Sequence, residues 1–152
     1  MRFSTDDGQF GLIVTPTSWN KMFRFQLIVD AAVVGDTEPC ILGSAMQQLS
    51  NLHRLEDPRL ARARVDPAGT MSVLCSDDSL YDLSMLNGAE SLDHWLVRGY
   101  INGETAVVMS QPAEGPESER SIRVAVVPLR DFESVVRSAV GYWAETSSTQ
   151  PG

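Results

Sequence analysis

Three side chains in this sequence have the chemistry of a catalytic centre: Cys40, His53 and His94. Cys40 stands in "GDTEPCILG", directly after Pro39, where a helix is expected to begin. A thiol at a helix N-terminus can have a lowered pKa and act as a nucleophile. Two features oppose that role. Asp36 and Glu38 lie beside the thiol and disfavour a second negative charge. A base is also required, and His53 falls far down the same expected helix, ~20 Å away at ~1.5 Å per residue. Only His94 could approach through tertiary folding. Cys40 therefore reads as a small apolar residue at a helix start, and Cys75 as a core residue on a strand face. With no CxxC pair, the two thiols offer neither a disulfide framework nor a structural zinc site.

Metal and phosphate chemistry find even less. Asp93 and His94 are adjacent in an expected strand, so they point to opposite faces and do not converge on one ion. There is no HExxH, no EF-hand loop, no GxxxxGK and no GxGxxG. The GxSxG nucleophile elbow is absent too. Arg54, Arg59, Arg62 and Arg64 form a local basic cluster that reads as a solvated connection or a set of ion-pair partners. The expectation is a protein with no catalytic residue, metal or cofactor.

Charge is more informative. The chain carries −8 overall, which argues against direct nucleic-acid binding, since phosphate contacts need clustered cations. From Asp77 to Glu119 there are nine acids: Asp77, Asp78, Asp82, Glu90, Asp93, Glu104, Glu114, Glu117 and Glu119. Arg98 is the only Lys or Arg among them. A soluble acidic surface is the plain explanation. The sharper one is a docking face for a cationic protein, because complementary potentials steer association and fix register. Asp77, Asp78, Asp82, Glu114, Glu117 and Glu119 are the candidate contacts, with Tyr81 as an aromatic anchor.

The elements that must carry these residues follow from periodicity. Residues 10–15 and 21–29 read as strands, with Phe23, Phe25, Leu27 and Val29 on one face. Gly35 suits a turn with positive φ. A first helix runs from about Pro39, capped by Thr37, with Ile41, Leu42, Ala45, Met46, Leu49 and Leu52 as its apolar stripe. Asp57–Pro58 stops it. Residues 59–69 read as a basic connection and 70–76 as a strand with Met71, Val73 and Cys75 on one face. Residues 77–92 fit either a helical turn or a loop. The segment 93–110 is a hairpin turning on Asn102–Gly103 with positive φ at both. A polar loop at 112–120 leads to a strand at 121–127. The last helix has Phe132, Val135, Val136, Ala139, Val140 and Trp143 at helical spacing behind an Asp131 cap. The tail 146–152 is expected to fray.

These elements give one α+β domain over 1–152, with an ordered core at about 10–145. Its expected architecture is an antiparallel sheet of five to six strands with two main helices packed on it. No apolar run approaches the ~20 residues of a membrane span. The N-terminus, "MRFSTDDGQF", lacks the apolar region of a signal peptide, so a cytoplasmic location is expected.

The order "FGLIVTPTSWN…FRFQLIVDAAVVGDTEPCILGSAMQQL", followed by "LDHWLVRGYINGETAVVMS" and "IRVAVVPLRDFESVVRSAVGYWAE", resembles the immunity protein 42 family of bacterial polymorphic toxin systems. The resemblance covers about residues 10–145 and lies in element order and small-residue turns, with no catalytic signature. The loop 112–120 and the basic stretch 59–68 depart from it. It implies a small cytoplasmic α+β protein that binds and neutralises a cognate toxin; the mechanism expected here is occlusion of the toxin's active site by the acidic face. A nuclease toxin, which must be basic to hold nucleic acid, would suit the acidic face. Two rival classes stand beside this one. One is a non-enzymatic regulatory or scaffold domain that binds a protein, or itself, through a sheet edge; the other is a thiol enzyme using Cys40. Neither the toxin's identity nor monomer versus homodimer is set by these residues.

Overall fold

The computed structural model describes residues 1–116 and 120–149. It is α+β, with two open antiparallel sheets and four α-helices among the described residues.

The first sheet has the spatial order β1–β2–β3–β4, from Arg2–Ser4, Phe10–Pro16, Phe23–Val29 and Ala32–Val34. A two-residue strand β5, Pro39–Cys40, also pairs with β3, opposite Arg24 and Phe23. β1 goes beyond the sequence reading, which began its first strand at residue 10. Arg2 pairs with Ile13 and Ser4 with Gly11. The turn between these two strands is held by the Gly8 N–H donating to the Thr5 carbonyl and the Thr5 hydroxyl donating to Asp7.

The second sheet is β6–β7–β8, from Trp95–Asn102, Thr105–Pro112 and Arg123–Pro128. Asn102 pairs directly with Thr105, so the two turn residues are Gly103 and Glu104, one position later than expected. Only Gly103 has positive φ, at 59°. That is the signature of a turn with glycine at its first central position.

The helices depart most from the sequence reading. α1 spans Gly43–Ser50 and begins at Leu42 with no side-chain cap. Thr37 and Pro39 do not open it, because Pro39–Cys40 is strand. A side-chain cap is worth ~1 kcal/mol. Burial of Met46 and Leu49 contributes ~1.5–3 kcal/mol each, so packing holds this helix without one. α2, Pro67–Ser76, replaces the expected strand at 70–76. Asp66 caps it by accepting from the Gly69 N–H, and Pro67 fits its first turn. Thr70, Met71 and Leu74 are its buried stripe, a period of three and four that the Met71–Val73–Cys75 alternation obscured. α3, Asp78–Ser84, follows at once, with Asp77 as its cap. α4 runs from Leu129 to Thr149, so Asp131 lies in its first turn and not at its cap, and the helix passes residue 146, where fraying was expected to begin.

Two cores explain the layering. One lies between the inner faces of both sheets and helices α1 and α4, with Phe10 and Phe132 ring centroids 4.8 Å apart. The other lies on the opposite face of the second sheet, where the 55–80 segment covers Tyr100, Val107 and Met109. The second sheet is therefore buried on both faces, which the sequence reading, with one sheet and one helical layer, did not foresee. Gly88 sits tight against α1: a Cβ there would come within 2.7 Å of the Ala45 backbone nitrogen. That approach sets the loop after α3 against the start of α1.

Candidate functional site

Cys40 is fully buried in β5, opposite Phe23. Its thiol donates to the Glu38 carbonyl at 3.1 Å, and the Ser91 N–H donates to its sulfur at 3.3 Å. Burial pushes the thiol pKa up, against the Ser91 hydrogen bonds that pull it down. This is the environment of a packed thiol, not of a thiolate at a helix N-terminus. His53 and His94 are both exposed. Among the described residues no three His, Cys, Asp or Glu side chains come together as a metal site.

The acidic candidates divide into groups with different surroundings. Asp77 is occupied within the fold. It caps α3, accepting from the Ser79 N–H and hydroxyl, and meets the Arg59 guanidinium at 3.3 Å. The Ser79 hydroxyl and then Arg59 hold its carboxyl below the usual range, although partial desolvation opposes them. Arg59 also grips Asp57 through two nitrogens, Nε and Nη2, and this depresses the Asp57 pKa. Asp78 and Asp82 are exposed, one helical turn apart on α3. Asp78, in the first turn, also faces the positive end of the helix dipole. Glu114 is exposed in the loop after β7. Glu117 and Glu119 lie outside the described residues.

Tyr81 is half-buried, and the Arg98 guanidinium carbon lies 4.2 Å from its ring centre. Arg98 is 1% exposed. Its Nη1 donates to the Val97 carbonyl, and its Nε has no acceptor among the described residues. The stack replaces a carboxylate partner with the ring's negative face. The lone arginine of the acidic stretch is thus inside the protein. Among the described residues from 76 to 116, every exposed Asp, Glu, Lys or Arg is an acid.

α3 and the root of the acidic loop are both tied to β6. α3 leads through a bridge between Met85 and Arg98 onto β6. Arg98 is three residues from Trp95, ~10 Å along a strand. Trp95 pairs with Pro112, and the Ala113 N–H donates to the His94 carbonyl at the root of the loop. Glu104 sits at the other end of the hairpin, so the nine acids do not form one face.

One feature was not legible in the sequence. A cleft of about 310 Å³ separates α1 from α3, with Asp82 and Leu83 on one side and Gln47, Gln48 and Asn51 on the other. No periodicity links these two segments.

The described residues form a two-sheet α+β fold with four α-helices, of which α3 carries exposed acids. Among solved structures the chain is similar to CdiI from Burkholderia dolosa AUO158, an immunity protein of contact-dependent inhibition. The TM-score is 0.64 at 20% identity, over 93% of this chain and 99% of that one. The two share a fold. No protein-family model and no curated protein matches the sequence. Among the described residues no helix is long and apolar enough to cross a membrane.

Proposed function

We propose that this chain is an immunity protein, acting in the cytoplasm, that binds a cognate bacterial toxin domain and occludes its active site. The observation that carries the reading is the fold shared with CdiI over nearly the full length of both chains. The narrower likeness to the immunity protein 42 family rests on element order and a few small-residue turns. The binding residues in this reading are Asp78 and Asp82 on α3 and Glu114 in the loop after β7, with Glu117 and Glu119 further along the sequence as additional candidates. Asp77 contributes less, because its charge is already answered by Arg59. Tyr81, held in place by Arg98, is the aromatic anchor. A basic toxin, such as a nuclease, is the complementary partner for such a face. The face itself repels nucleic acid.

The test is co-expression with toxin domains encoded beside this gene. One of them is expected to co-purify with the protein and to lose its toxicity. If none binds or is silenced, the reading fails; a homodimer indifferent to every toxin would point to a regulatory or scaffold domain. Within a working pair, the double substitution Asp78→Lys, Asp82→Lys should slow association about tenfold and flatten its salt dependence. Unchanged kinetics would move the interface off α3.

A further inference from the structure

We propose that the outer face of the first sheet, with the Trp19 turn at its end, docks a second protein, one that presents carboxylates beside an apolar side chain. Alternation along the strands decides which residues form that face. Phe23, Phe25, Leu27 and Val29 turn inward to the core shared with α1 and α4, so Arg24, Gln26 and Ile28 turn outward. By the same register Arg2, Ile13 and Thr15 share the outer side, and Val33 stands exposed on β4. Ile28 lies across Gly11, where a Cβ would meet its Cδ1 at 2.9 Å, so the face is smooth there.

Three observations fix the chemistry of the occupant. First, an aromatic anchor is held out in solvent. Trp19 is 60% exposed, whereas Trp95 and Trp143 pack against the core. Its turn is firmly built. The Thr17 hydroxyl donates to the Met22 carbonyl at 2.8 Å, and the Trp19 N–H donates to the Thr17 hydroxyl oxygen at 3.2 Å. Lys21 stands in the same turn at φ 60°, a left-handed conformation that a non-glycine residue adopts only at a cost. Strain of that kind gathers where a side chain has to be presented. Second, a cleft of about 460 Å³ joins this anchor to the sheet. Pro16, Thr17, Ser18, Trp19, Arg24 and Pro39 line it, and Arg24 is the one ionised group among them. Third, the charge on this face has one sign. Every acid before α1, namely Asp6, Asp7, Asp30, Asp36 and Glu38, stands between strands and not on one. The five strands carry only Arg2 and Arg24 as charges, both exposed, and neither guanidinium forms an ion pair among the described residues. A chain of net charge −8 thus keeps one sheet face clear of carboxylates.

An exposed tryptophan, an apolar cleft and unpaired arginines match a protein surface with an apolar side chain for the cleft and carboxylates around it. A second copy seated through the same face would set these cations against one another, so charge disfavours that occupant. A basic toxin is disfavoured on the same ground. The face also lies in a different layer from α3, whose Leu80 packs on the far side of the second sheet. The inference rests on this face alone and not on the function proposed above.

The experiment titrates the isotope-labelled full chain with the peptide acetyl-Glu-Leu-Glu-amide and, separately, with acetyl-Lys-Leu-Lys-amide. The acidic peptide should give saturable shifts of the Trp19 indole N–H and of backbone amides within residues 17–26, and the lysine peptide should not. Arg24→Glu and Trp19→Ser should each weaken that binding about tenfold. Both side chains are exposed, so neither variant threatens the fold. Equal shifts from the lysine peptide, shifts confined to other surfaces, or unchanged affinity in Arg24→Glu would each overturn the inference. Sedimentation of the free chain tests the rival occupant: a dimer that dissolves in Trp19→Ser would give the face to a second copy. The two readings fail separately. Within a working toxin pair, Trp19→Ser should leave neutralisation intact. Its loss would give this face to the toxin, overturning the second partner and leaving the immunity reading standing. A face that binds the acidic peptide in a protein that neutralises no toxin does the reverse.

Discussion

Removing one oxygen, in Tyr100→Phe, should loosen the whole layer that carries the acidic helix. The Tyr100 hydroxyl is fully buried and donates to the Leu60 carbonyl at 2.7 Å. That bond joins β6 to the segment 55–65, which with α2 and α3 covers the outer face of the second sheet. Phenylalanine leaves the ring's packing in place but strands the Leu60 carbonyl without a donor. An unsatisfied buried acceptor costs ~1–3 kcal/mol. With a urea m value of roughly 2 kcal/mol/M, the unfolding midpoint should fall by ~0.5–1.5 M. The alkaline side tests the burial of the same hydroxyl. Burial favours the neutral phenol and raises the Tyr100 pKa, so the folded chain keeps a proton that the unfolded chain gives up. The contribution is complete below pH 10.0, the ordinary value, and is lost as pH rises above it. Cys40, whose thiol is also raised by burial, adds an alkaline loss common to both proteins. The difference between wild type and Tyr100→Phe should therefore shrink above about pH 10. Urea titrations at neutral and alkaline pH measure both effects. A midpoint unchanged at neutral pH would refute the argument that this hydrogen bond pins the layer.

Three further outcomes follow from individual sites. Cys75, half-exposed on α2, should react with a thiol reagent at neutral pH well before Cys40, which should react only as the protein unfolds; timed alkylation and peptide mapping give the order. Ala31, at φ 61° in the two-residue β3–β4 turn, holds a left-handed conformation that costs a non-glycine residue ~1–2 kcal/mol. Ala31→Gly should accordingly raise stability by ~0.5–1 kcal/mol after glycine's own entropy cost, read from the urea midpoint. Arg59→Gln should raise the Asp57 and Asp77 pKa values toward their ordinary 3.8. Both are depressed in the fold, so their stabilisation is present above that value and lost as pH falls through the folded pKa. The variant should lose less stability on acidification, and carboxyl NMR titration would show the shifted values.

Much of the sheet structure was written into local pattern. Phe23, Phe25, Leu27 and Val29 alternate, and they face one core. The 93–110 hairpin formed with its turn one residue late, because Gly103 supplies the positive φ alone and Asn102 stays in the ladder. The α4 stripe of Phe132, Val135, Val136 and Ala139 is buried as its spacing requires. The middle of the chain misled for a physical reason. α2 has 10 residues and α3 has 7, and such short helices show too few turns for periodicity to separate from alternation. The Asp66–Pro67 start signal was present but stood in a stretch read as a connection.

The sequence by itself determined composition and local alternation: an acidic α+β protein with no catalytic motif and a run of carboxylates broken by one arginine. Only the tertiary structure decided where those charges go. It buried Arg98 beneath Tyr81, tied Asp77 to Arg59, sent Glu104 to the far end of the hairpin and left Asp78 and Asp82 outside. It also converted the Cys40 segment from a helix start into a strand, because β3 had an open edge beside Phe23 and Arg24 for Pro39–Cys40 to pair with. Local propensity acts over a few residues. Pairing of an edge and burial of a charge depend on partners far along the chain, and those partners exist only once the fold has formed.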